Sequence, residues 1–373
     1  MSSIEQALAE SWEKTAIPGF VATVRSSQGV STVFTRGRRS VAAADAMTAE
    51  TVFWIASFTK LVTSTVALQL VDDGLLSLDQ TIASLRPEFA DLPILSGFDS
   101  AGRPVLEEVS DAPTLRHLLT HTSGLGYAFM DADLARYVEQ QGIGPDRAHL
   151  LPRRFRAGEG WLYGASTDWL GAVIETVCNE SLDKVFQQRV TGPLGMADTT
   201  CVRSPNQLGR AAAVHARSPD GSCVVINFAM PPPPHFNIGG GALYSTATDF
   251  MRLLTALIDG EILSDASRAD LFENQVGDLD AGTIVSSNLA LTRDYNPLPG
   301  NQKRWGLGLM INTSPVLGAR SAGSGAWAGL ANCYYWLDPT ARIAGVLMTQ
   351  ILPFADPEVL NLFATLERAA YAS

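Results

Sequence analysis

The sequence predicts an α+β protein whose sheet is built from both ends of the chain around an inserted helical segment. Strand-like runs occur close to the N-terminus and again from Trp305 to Met348, whereas residues 76–235 read mainly as helix and loop. No flexible linker separates these parts. We therefore predict two tightly packed domains, a sheet domain of residues 1–75 and 236–373 and a mostly helical domain of residues 76–235.

The N-terminal part is predicted to form a helix, a hairpin and a second helix. Residues 3–15 have an amphipathic helical pattern. Two strands, Phe20 to Arg25 and Ser31 to Arg36, flank the turn signal Ser26-Ser27-Gln28-Gly29. A second helix is expected from Lys60 to Val71, where the chain meets Asp72-Asp73-Gly74.

The middle of the chain is predicted to hold helices and one small hairpin at Gly102-Arg103. The expected helices cover residues 114–119, 168–177 and 182–190. The proline-rich segment 230–235 must be extended, because each proline restricts the residue before it. This segment is either a rigid connector that re-enters the sheet or a polyproline ligand for a partner.

The C-terminal part returns to strands bounded by helices. The predicted helices are 248–259 and 357–371, and the predicted strands are 305–311, 331–337 and 343–348. The turn signal Asp338-Pro339-Thr340 separates the last two strands.

The charge balance excludes several classes of partner. The formal net charge is −11, and the basic runs are no longer than the pairs Arg38-Arg39 and Arg153-Arg154. A chain of this kind lacks the basic surface that nucleic acids or anionic membranes require. We therefore expect neither a nucleic-acid partner nor a membrane partner, and no oligomeric state is predicted.

The sequence also favours a cytoplasmic location. Residues 1–14 carry three glutamates and no uninterrupted apolar stretch, so they do not read as a secretory signal. No run approaches the roughly 18 apolar residues of a membrane span. The four cysteines, Cys178, Cys201, Cys223 and Cys333, lack metal-like spacing and are predicted to be buried thiols in a reducing compartment.

Three Ser-x-x-Lys tetrapeptides occur in the chain, and one lies in a context that suits catalysis. A lysine three residues after a serine lies on the same helix face and can take the serine's proton. Ser11-Trp12-Glu13-Lys14 lies within an exposed-looking helix, and Ser181-Leu182-Asp183-Lys184 opens a charged helix with its serine as N-cap. Ser57-Phe58-Thr59-Lys60 instead follows the apolar run Thr51–Ala56 and precedes an apolar helix, so its polar groups should lie near the interior.

Five further motifs follow this tetrapeptide in order. They are His121-Thr122-Ser123-Gly124-Leu125, Tyr163-Gly164-Ala165-Ser166-Thr167-Asp168, Pro193-Leu194-Gly195-Met196, Gly239 to Thr246, and Trp327-Ala328-Gly329-Leu330. In this order and spacing the chain resembles the serine β-lactamase-like superfamily, in the branch that holds class C β-lactamases, D-Ala-D-Ala peptidases and family VIII esterases. The resemblance covers about residues 10–360.

The resemblance implies a fold and a set of catalytic roles. An antiparallel sheet flanked by helices would lie beside a mostly helical domain, with the active site between them and no metal or organic cofactor required. Ser57 would be the nucleophile, Lys60 its proton acceptor, and Tyr163 a second general base or acid. The backbone N–H groups of Ser57 and Leu330 would form the oxyanion hole.

Two departures from the family pattern point to uncharged substrates. Ala165 replaces the asparagine of the Tyr-x-Asn motif, and Trp327 replaces the lysine of the Lys-Thr-Gly motif. That lysine faces a substrate carboxylate in β-lactamases and peptidases, whereas tryptophan offers an apolar face. The version with Trp327 and Gly329 looks like family VIII carboxylesterases and the related fungal-type acyltransferases that act on polyketides. Both residues are therefore expected to bind substrate.

Some of those esterases have a tyrosine after the His-Thr-Ser-Gly-Leu segment, as Tyr127 is here, and an aspartate five residues after the catalytic tyrosine, as Asp168 is here. The resemblance therefore implies that Tyr127 and Asp168 bind substrate. Each has an alternative interpretation, since Asp168 could be a helix N-terminal charge and Tyr127 a core aromatic residue. His117 and His121 are predicted to be structural. The run Gly239-Gly240-Gly241 is predicted to be a tight backbone turn, because no following lysine supports a phosphate site.

The sequence therefore predicts a serine hydrolase that cleaves carboxylic esters of small, uncharged substrates through an acyl-serine intermediate. Three alternatives remain: an acyltransferase with an alcohol or amine acceptor, an amidase or weak β-lactamase, and a non-catalytic binding protein on the same fold.

Overall fold

The computed structural model describes residues 2–228 and 238–372. Within these residues, strands from both ends of the chain form an antiparallel sheet of seven strands. In spatial order the strands are Ser31–Gly37, Gly19–Arg25, Ile343–Met348, Cys333–Asp338, Gly325–Gly329, Met310–Asn312 and Lys303–Trp305. The predicted α+β class and antiparallel sheet are confirmed.

The strand Gly19–Arg25 joins the two ends of the chain. Val21 pairs with Thr35 in the neighbouring strand of the N-terminal hairpin and with Met348 on the other side. Every residue of this strand is buried, because it has a neighbour on both edges and helices above and below.

Helices cover both faces of the sheet. Neighbouring side chains of one strand point to opposite faces, so Trp336 and Tyr335 show what packs on each of them. Trp336 packs on Phe363 of the C-terminal helix, with ring centroids 5.5 Å apart, whereas Tyr335 packs on Phe250, 5.2 Å away. The helices concerned are Pro357–Tyr371 on the first face, with Ser3–Trp12 beside it, and Ala247–Asp259 on the second.

The helix Thr59–Asp72 lies at the centre of the molecule and is buried along most of its length. It packs against the helix Ser166–Cys178 and the helical turn Ile238–Gly241. Its apolar side chains pack on all sides, and its buried hydroxyls bond within the protein, since Thr63 Oγ1 donates to the Gly239 carbonyl and Thr65 Oγ1 to the Leu61 carbonyl. Its first turn carries Lys60, so the burial of the helix sets the burial of the amine.

The middle segment consists mainly of helices, with a small hairpin where Gly102-Arg103 predicted one. Its α-helices are Leu115–Leu119, Ala132–Gln141, Ser166–Cys178, Leu182–Phe186 and Pro205–Gly209, its 3-10 turns are Ile82–Ser84, Pro87–Asp91, Ala128–Met130 and Pro145–Leu150, and its hairpin strands are Ile94–Phe98 and Pro104–Glu107. The remaining helix is Asp265–Phe272, and the remaining short strands are Phe53–Trp54, Tyr244–Ser245, His215–Arg217, Cys223–Val225 and Ile351–Leu352.

Several predicted elements differ from the structure. The strand expected over residues 305–311 is two antiparallel strands, because Gly308 takes a φ of +117° and turns the chain between them. The helix expected over 182–190 ends at Phe186 and continues as a π-helical turn over Gln187–Thr191. The glycine run expected as a tight turn is helical. The proline-rich segment 230–235 lies outside the described residues.

Candidate active site

Ser57 lies in a 3-10 turn, Ala56–Phe58, that leads directly into the central helix. Ala56 has a φ of +45°, a backbone conformation that costs energy for a residue with a Cβ and that clusters at functional sites. The Thr59 hydroxyl holds the turn, because it donates to the Ala56 carbonyl at 2.6 Å and accepts from the Leu243 N–H at 3.1 Å. The serine side chain is thereby presented from a fixed turn.

Lys60 lies one turn beyond Ser57 and is 3% exposed. Its Nζ is 3.4 Å from Ser57 Oγ, 3.1 Å from Tyr127 Oη and 2.8 Å from the Gly240 carbonyl oxygen. The lysines of the other two tetrapeptides, Lys14 and Lys184, are exposed. Burial therefore distinguishes the Ser57–Lys60 pair from its two copies.

Tyr127 and Asp168 meet beside this lysine. Tyr127 Oη donates to Asp168 Oδ2 at 2.6 Å, and the Gly240 N–H donates to Asp168 Oδ1 at 2.9 Å. Burial raises the pKa of Asp168, and the charge of Lys60 opposes this shift. Burial of the hydroxyl end of Tyr127, together with Asp168, raises the pKa of that phenol well above its usual value. Both side chains therefore belong to the site, although Asp168 also lies in the first turn of its helix.

Tyr163 contacts Lys60 through its ring rather than its hydroxyl. Lys60 Nζ lies 4.9 Å from the ring centroid, and Tyr163 Oη is buried without a hydrogen-bond partner among the described residues. The ring of His121 lies 4.9 Å from that of Tyr163, and burial lowers the pKa of His121 well below its usual value. His121 is therefore neutral in the folded protein, whereas His117 caps the helix Leu115–Leu119.

The strand Gly325–Gly329 ends against the Ser57 turn. A Cβ on Gly329 would lie 2.4 Å from the Ile55 carbonyl oxygen, so only glycine permits this approach. Leu330 follows immediately and lines the same cavity as Ser57. The N–H of Ser57 lies in the first turn of a helix, where N–H groups lack intrahelical acceptors. The oxyanion hole made by these two N–H groups remains a prediction.

The serine opens onto an apolar cavity of about 180 Å³. Trp327 forms one wall, where its ring lies 4.8 Å from that of Tyr163 and 4.7 Å from that of Trp305. The other large side chains of the wall are Trp54, Tyr127, Phe129, Met130, Phe228, Ile284, Leu291, Leu330 and Phe354.

The structure therefore brings all the predicted site residues together, and it adds residues that the sequence did not indicate. Gly240 contributes both its N–H and its carbonyl oxygen, and its only sequence signal was the glycine run. Ile284 and Leu291 come from a loop that carries no motif and gave no signal.

The described residues were also compared with what a metal site, a membrane span or a disulfide requires. Residues 2–228 and 238–372 contain no group of His, Cys, Asp and Glu side chains that could hold a metal ion. In the same ranges no helix is long and apolar enough to cross a membrane. All four cysteines are free thiols, and three are buried, but Cys178 is partly exposed because it ends its helix, contrary to the prediction.

A serine held one turn from a buried lysine can attack a carbonyl group and carry its acyl group as an ester, which is the chemistry of serine acyl-transferring enzymes. The chain belongs to the Beta-lactamase family, which its sequence matches over residues 4–370. The resemblance recognised from the motifs is thus confirmed.

Its relatives include two acyltransferases and an esterase. The chain is 30% identical to the ML-236A carboxylate methylbutanoyltransferase of Penicillium citrinum, over 100% of this chain and 94% of that protein. It is 32% identical to the monacolin J acid methylbutanoyltransferase of Aspergillus terreus, over 85% of this chain and 81% of that protein. The lovastatin esterase of Penicillium rubens is 30% identical, over 86% of this chain and 85% of that protein.

Solved structures agree with these relatives. A mutant of simvastatin synthase from Aspergillus terreus superposes with a TM-score of 0.87 at 30% identity, over 99% of this chain and 94% of that one. EstCE1, a hydrolase with promiscuous acyltransferase activity, superposes with a TM-score of 0.79 over 99% and 97%, and its 20% identity shows the shared fold alone. The chain is an enzyme that acts on esters, as a hydrolase or acyltransferase.

Proposed function

We propose that this enzyme cleaves carboxylic esters of small, uncharged substrates through an acyl-Ser57 intermediate. The observation that carries the proposal is the Ser57–Lys60 pair, 3.4 Å apart, at the base of an aromatic and aliphatic cavity. Trp327 supports an uncharged substrate, because its buried indole cannot neutralise a carboxylate.

Lys60 is the base of the acylation step. Its Nζ accepts the proton of Ser57 Oγ while that oxygen bonds to the ester carbonyl carbon. The carbonyl oxygen becomes negative and lies between the N–H groups of Ser57 and Leu330. When the carbon–oxygen bond of the ester breaks, the leaving alcohol takes a proton from Tyr163, whose hydroxyl is otherwise unpaired in the described site.

Deacylation reverses these transfers. Water or an alcohol gives its proton to the Tyr163 phenolate and attacks the acyl carbon. Ser57 then leaves as the alkoxide and recovers its proton from Lys60, so the enzyme returns to its starting state.

A second candidate function is acyl transfer to an alcohol, and the cavity wall favours it. An apolar alcohol buries surface against these aromatic side chains, so it can compete with water for the acyl group. Two relatives are named as methylbutanoyltransferases, which supports acyl transfer as a reaction of this type of site. We propose that hydrolysis and transfer share one acyl-enzyme and differ in the acceptor.

The experiment is to react the enzyme with p-nitrophenyl butyrate and to locate the butyryl group by intact and peptide mass spectrometry. We expect a burst of p-nitrophenolate and an adduct on Ser57, both absent from Ser57→Ala. Adding a hydrophobic alcohol should divert product from butyric acid to the new ester. A wild-type enzyme without burst and adduct contradicts the proposal, and an unchanged acid yield limits it to hydrolysis.

Nitrocefin distinguishes the amidase or β-lactamase alternative. We expect turnover of nitrocefin to be negligible beside that of the butyrate ester, because the Trp327 position offers no cation. Faster turnover of nitrocefin than of the ester would favour that alternative instead.

We also propose a cytoplasmic location, which the four free cysteines support because thiols persist in reducing compartments. Fractionation of cells that produce the protein from its own promoter tests it, and recovery in the culture medium would contradict it.

A further inference from the structure

Asp168 binds the two groups that hold the catalytic amine. Its Oδ2 accepts from Tyr127 Oη at 2.6 Å, and its Oδ1 accepts from the Gly240 N–H at 2.9 Å. The same Tyr127 oxygen lies 3.1 Å from Lys60 Nζ, and the carbonyl of the same Gly240 lies 2.8 Å from it. The Asp168 carboxylate is therefore hydrogen-bonded to both Tyr127 and Gly240, the two residues that also hydrogen-bond to Lys60.

These bonds fix the direction in which each hydrogen points. The single hydrogen of the Tyr127 hydroxyl is directed to Asp168, so this oxygen can only accept from Lys60. The Gly240 carbonyl is also only an acceptor. A neutral amine has two hydrogens and one lone pair, and the two acceptors take both hydrogens. The lone pair is then left for Ser57 Oγ, 3.4 Å away.

We propose that Asp168 is a positioning residue that turns the lone pair of Lys60 toward Ser57. The inference rests on the proposed acylation of Ser57. The buried carboxylate also stabilises the ammonium that forms when Lys60 accepts the serine's proton, since charges interact strongly where water is excluded.

The packing around Asp168 buries its carboxylate and permits its close approach to Gly240. Asp168 is 0% exposed, although a charge that serves only a helix N-terminus can remain in solvent. A Cβ on Gly240 would lie 2.4 Å from Asp168 Oδ1, so the absence of a side chain there permits the approach. Ser166 Oγ and Ser123 Oγ, 2.9 Å apart, fix the start of the helix that carries Asp168.

The variant Asp168→Asn tests the inference because it keeps the shape and reverses one hydrogen bond. The new amide NH₂ donates to Tyr127 Oη, so the tyrosine hydrogen turns to Lys60 and occupies its lone pair. We expect the acylation rate constant with p-nitrophenyl butyrate, measured from the burst, to fall about 30-fold or more, and KM to change little.

The double variant gives the decisive comparison. Tyr127→Phe alone removes one acceptor and should slow acylation by about 3- to 10-fold. In the Asp168→Asn background it also removes the misdirected hydrogen, so the double variant should acylate at least as fast as Asp168→Asn alone. A residue with a merely structural role would not produce this rescue. Acylation by Asp168→Asn at the wild-type rate, or a double variant slowed by the product of the two single effects, overturns the inference.

Asp249 supplies the matched control. It is also a buried aspartate in the first turn of a helix, but its carboxylate accepts from the Asp198 N–H and the Thr199 hydroxyl, whereas that of Asp168 accepts from Tyr127 and Gly240. Asp249→Asn should acylate within about 2-fold of wild type once rates are normalised to folded protein.

If Asp168→Asn does not fold, Gly240→Ala displaces the carboxylate without altering it and should slow acylation similarly; a wild-type rate in Gly240→Ala then overturns the inference. A wild-type enzyme that forms no adduct on Ser57 contradicts the proposed function, whereas adduct formation at equal rates in wild type and Asp168→Asn contradicts only this inference.

Discussion

Trp327 packs in the core and also lines the cavity, so we predict that it has both a structural and a substrate-binding role. Its indole is 5% exposed and packs against Tyr163 and Trp305, yet it also lines the cavity above Ser57. The same ring therefore packs the strand end and gives the cavity an apolar surface. A single substitution should separate these effects, because stability and substrate binding are measured independently.

We expect Trp327→Ala to lower the free energy of unfolding by about 3–5 kcal/mol, as for other large-to-small changes in a core. The value of kcat/KM for p-nitrophenyl butyrate should fall about 10-fold or more, mainly through KM, because apolar contact is lost. Trp327→Phe is the control and should retain most of both. Urea unfolding and steady-state kinetics make the comparison, and an unchanged KM in the alanine variant would contradict the role in binding.

Lys60 is expected to act only through its amine. Lys60→Met keeps the length of the side chain but provides no lone pair of comparable basicity, so acylation should slow by about 10²–10⁴-fold. Binding of substrate should change little, because Lys60 Nζ faces Ser57, Tyr127 and Gly240. Stopped-flow burst kinetics measure the effect, and a burst at the wild-type rate would rule out Lys60 as the proton acceptor.

Among the elements, the end of the strand Gly325–Gly329 decides the shape of the site. It meets the Ser57 turn at the Ile55 carbonyl, where no side chain fits. A strand and a turn from distant parts of the sequence are thus held in register by one close backbone contact. Any group inserted there must move either Ser57 or Leu330.

Gly329→Ala tests this contact. The added Cβ would lie 2.4 Å from the Ile55 oxygen, so the two predicted oxyanion donors should move apart and kcat should fall about 100-fold. Gly209→Ala is the matched control, because nothing lies within 4 Å of its Cβ position, and it should be as active as wild type. Equal activity of both alanine variants in a p-nitrophenyl butyrate assay would show that the contact does not shape the site.

The sequence predicted elements and motifs better than it predicted contacts. Spacing, context and the companion motifs predicted the pairing of Ser57 with Lys60, because both residues lie within one turn of a helix. The bond between Lys60 and Tyr127 joins residues 67 positions apart and exists only through tertiary packing. The hydrogen bonds of Gly240 also depend on tertiary packing and could not be predicted. The local sequence did not help, because three glycines are compatible with a helix and with a turn.

For the whole molecule, buried histidines link stability to pH. His215 is 2% exposed, and burial lowers its pKa below the usual value of 6.5. Below pH 6.5 the unfolded chain therefore binds a proton that the folded protein does not. The contribution of neutral His215 to the free energy of unfolding is fully present above the unfolded pKa of about 6.5, and it is lost as the pH falls through the folded pKa.

We expect the wild-type protein to lose more unfolding free energy than His215→Gln between pH 7.5 and pH 5.5, by at most about 1.4 kcal/mol, the limit for one proton over this interval. The variant lacks the proton uptake by the unfolded chain, so its stability should change less over this interval. Urea unfolding at both pH values gives the two differences. Identical losses in wild type and variant would contradict the linkage.

The pairing of Gly19–Arg25 with Ile343–Met348 has a consequence for how the protein is made. The strand Gly19–Arg25 leaves the ribosome more than 300 residues before its partner Ile343–Met348. The edge that pairs with this partner therefore stays unpaired for most of translation. The nascent chain thus carries Ser57 and Lys60 long before the strand that ends at Gly329 can support them. Activity should appear only at the completion of synthesis, and chaperones that mask open strand edges should raise the yield of the enzyme more than its specific activity.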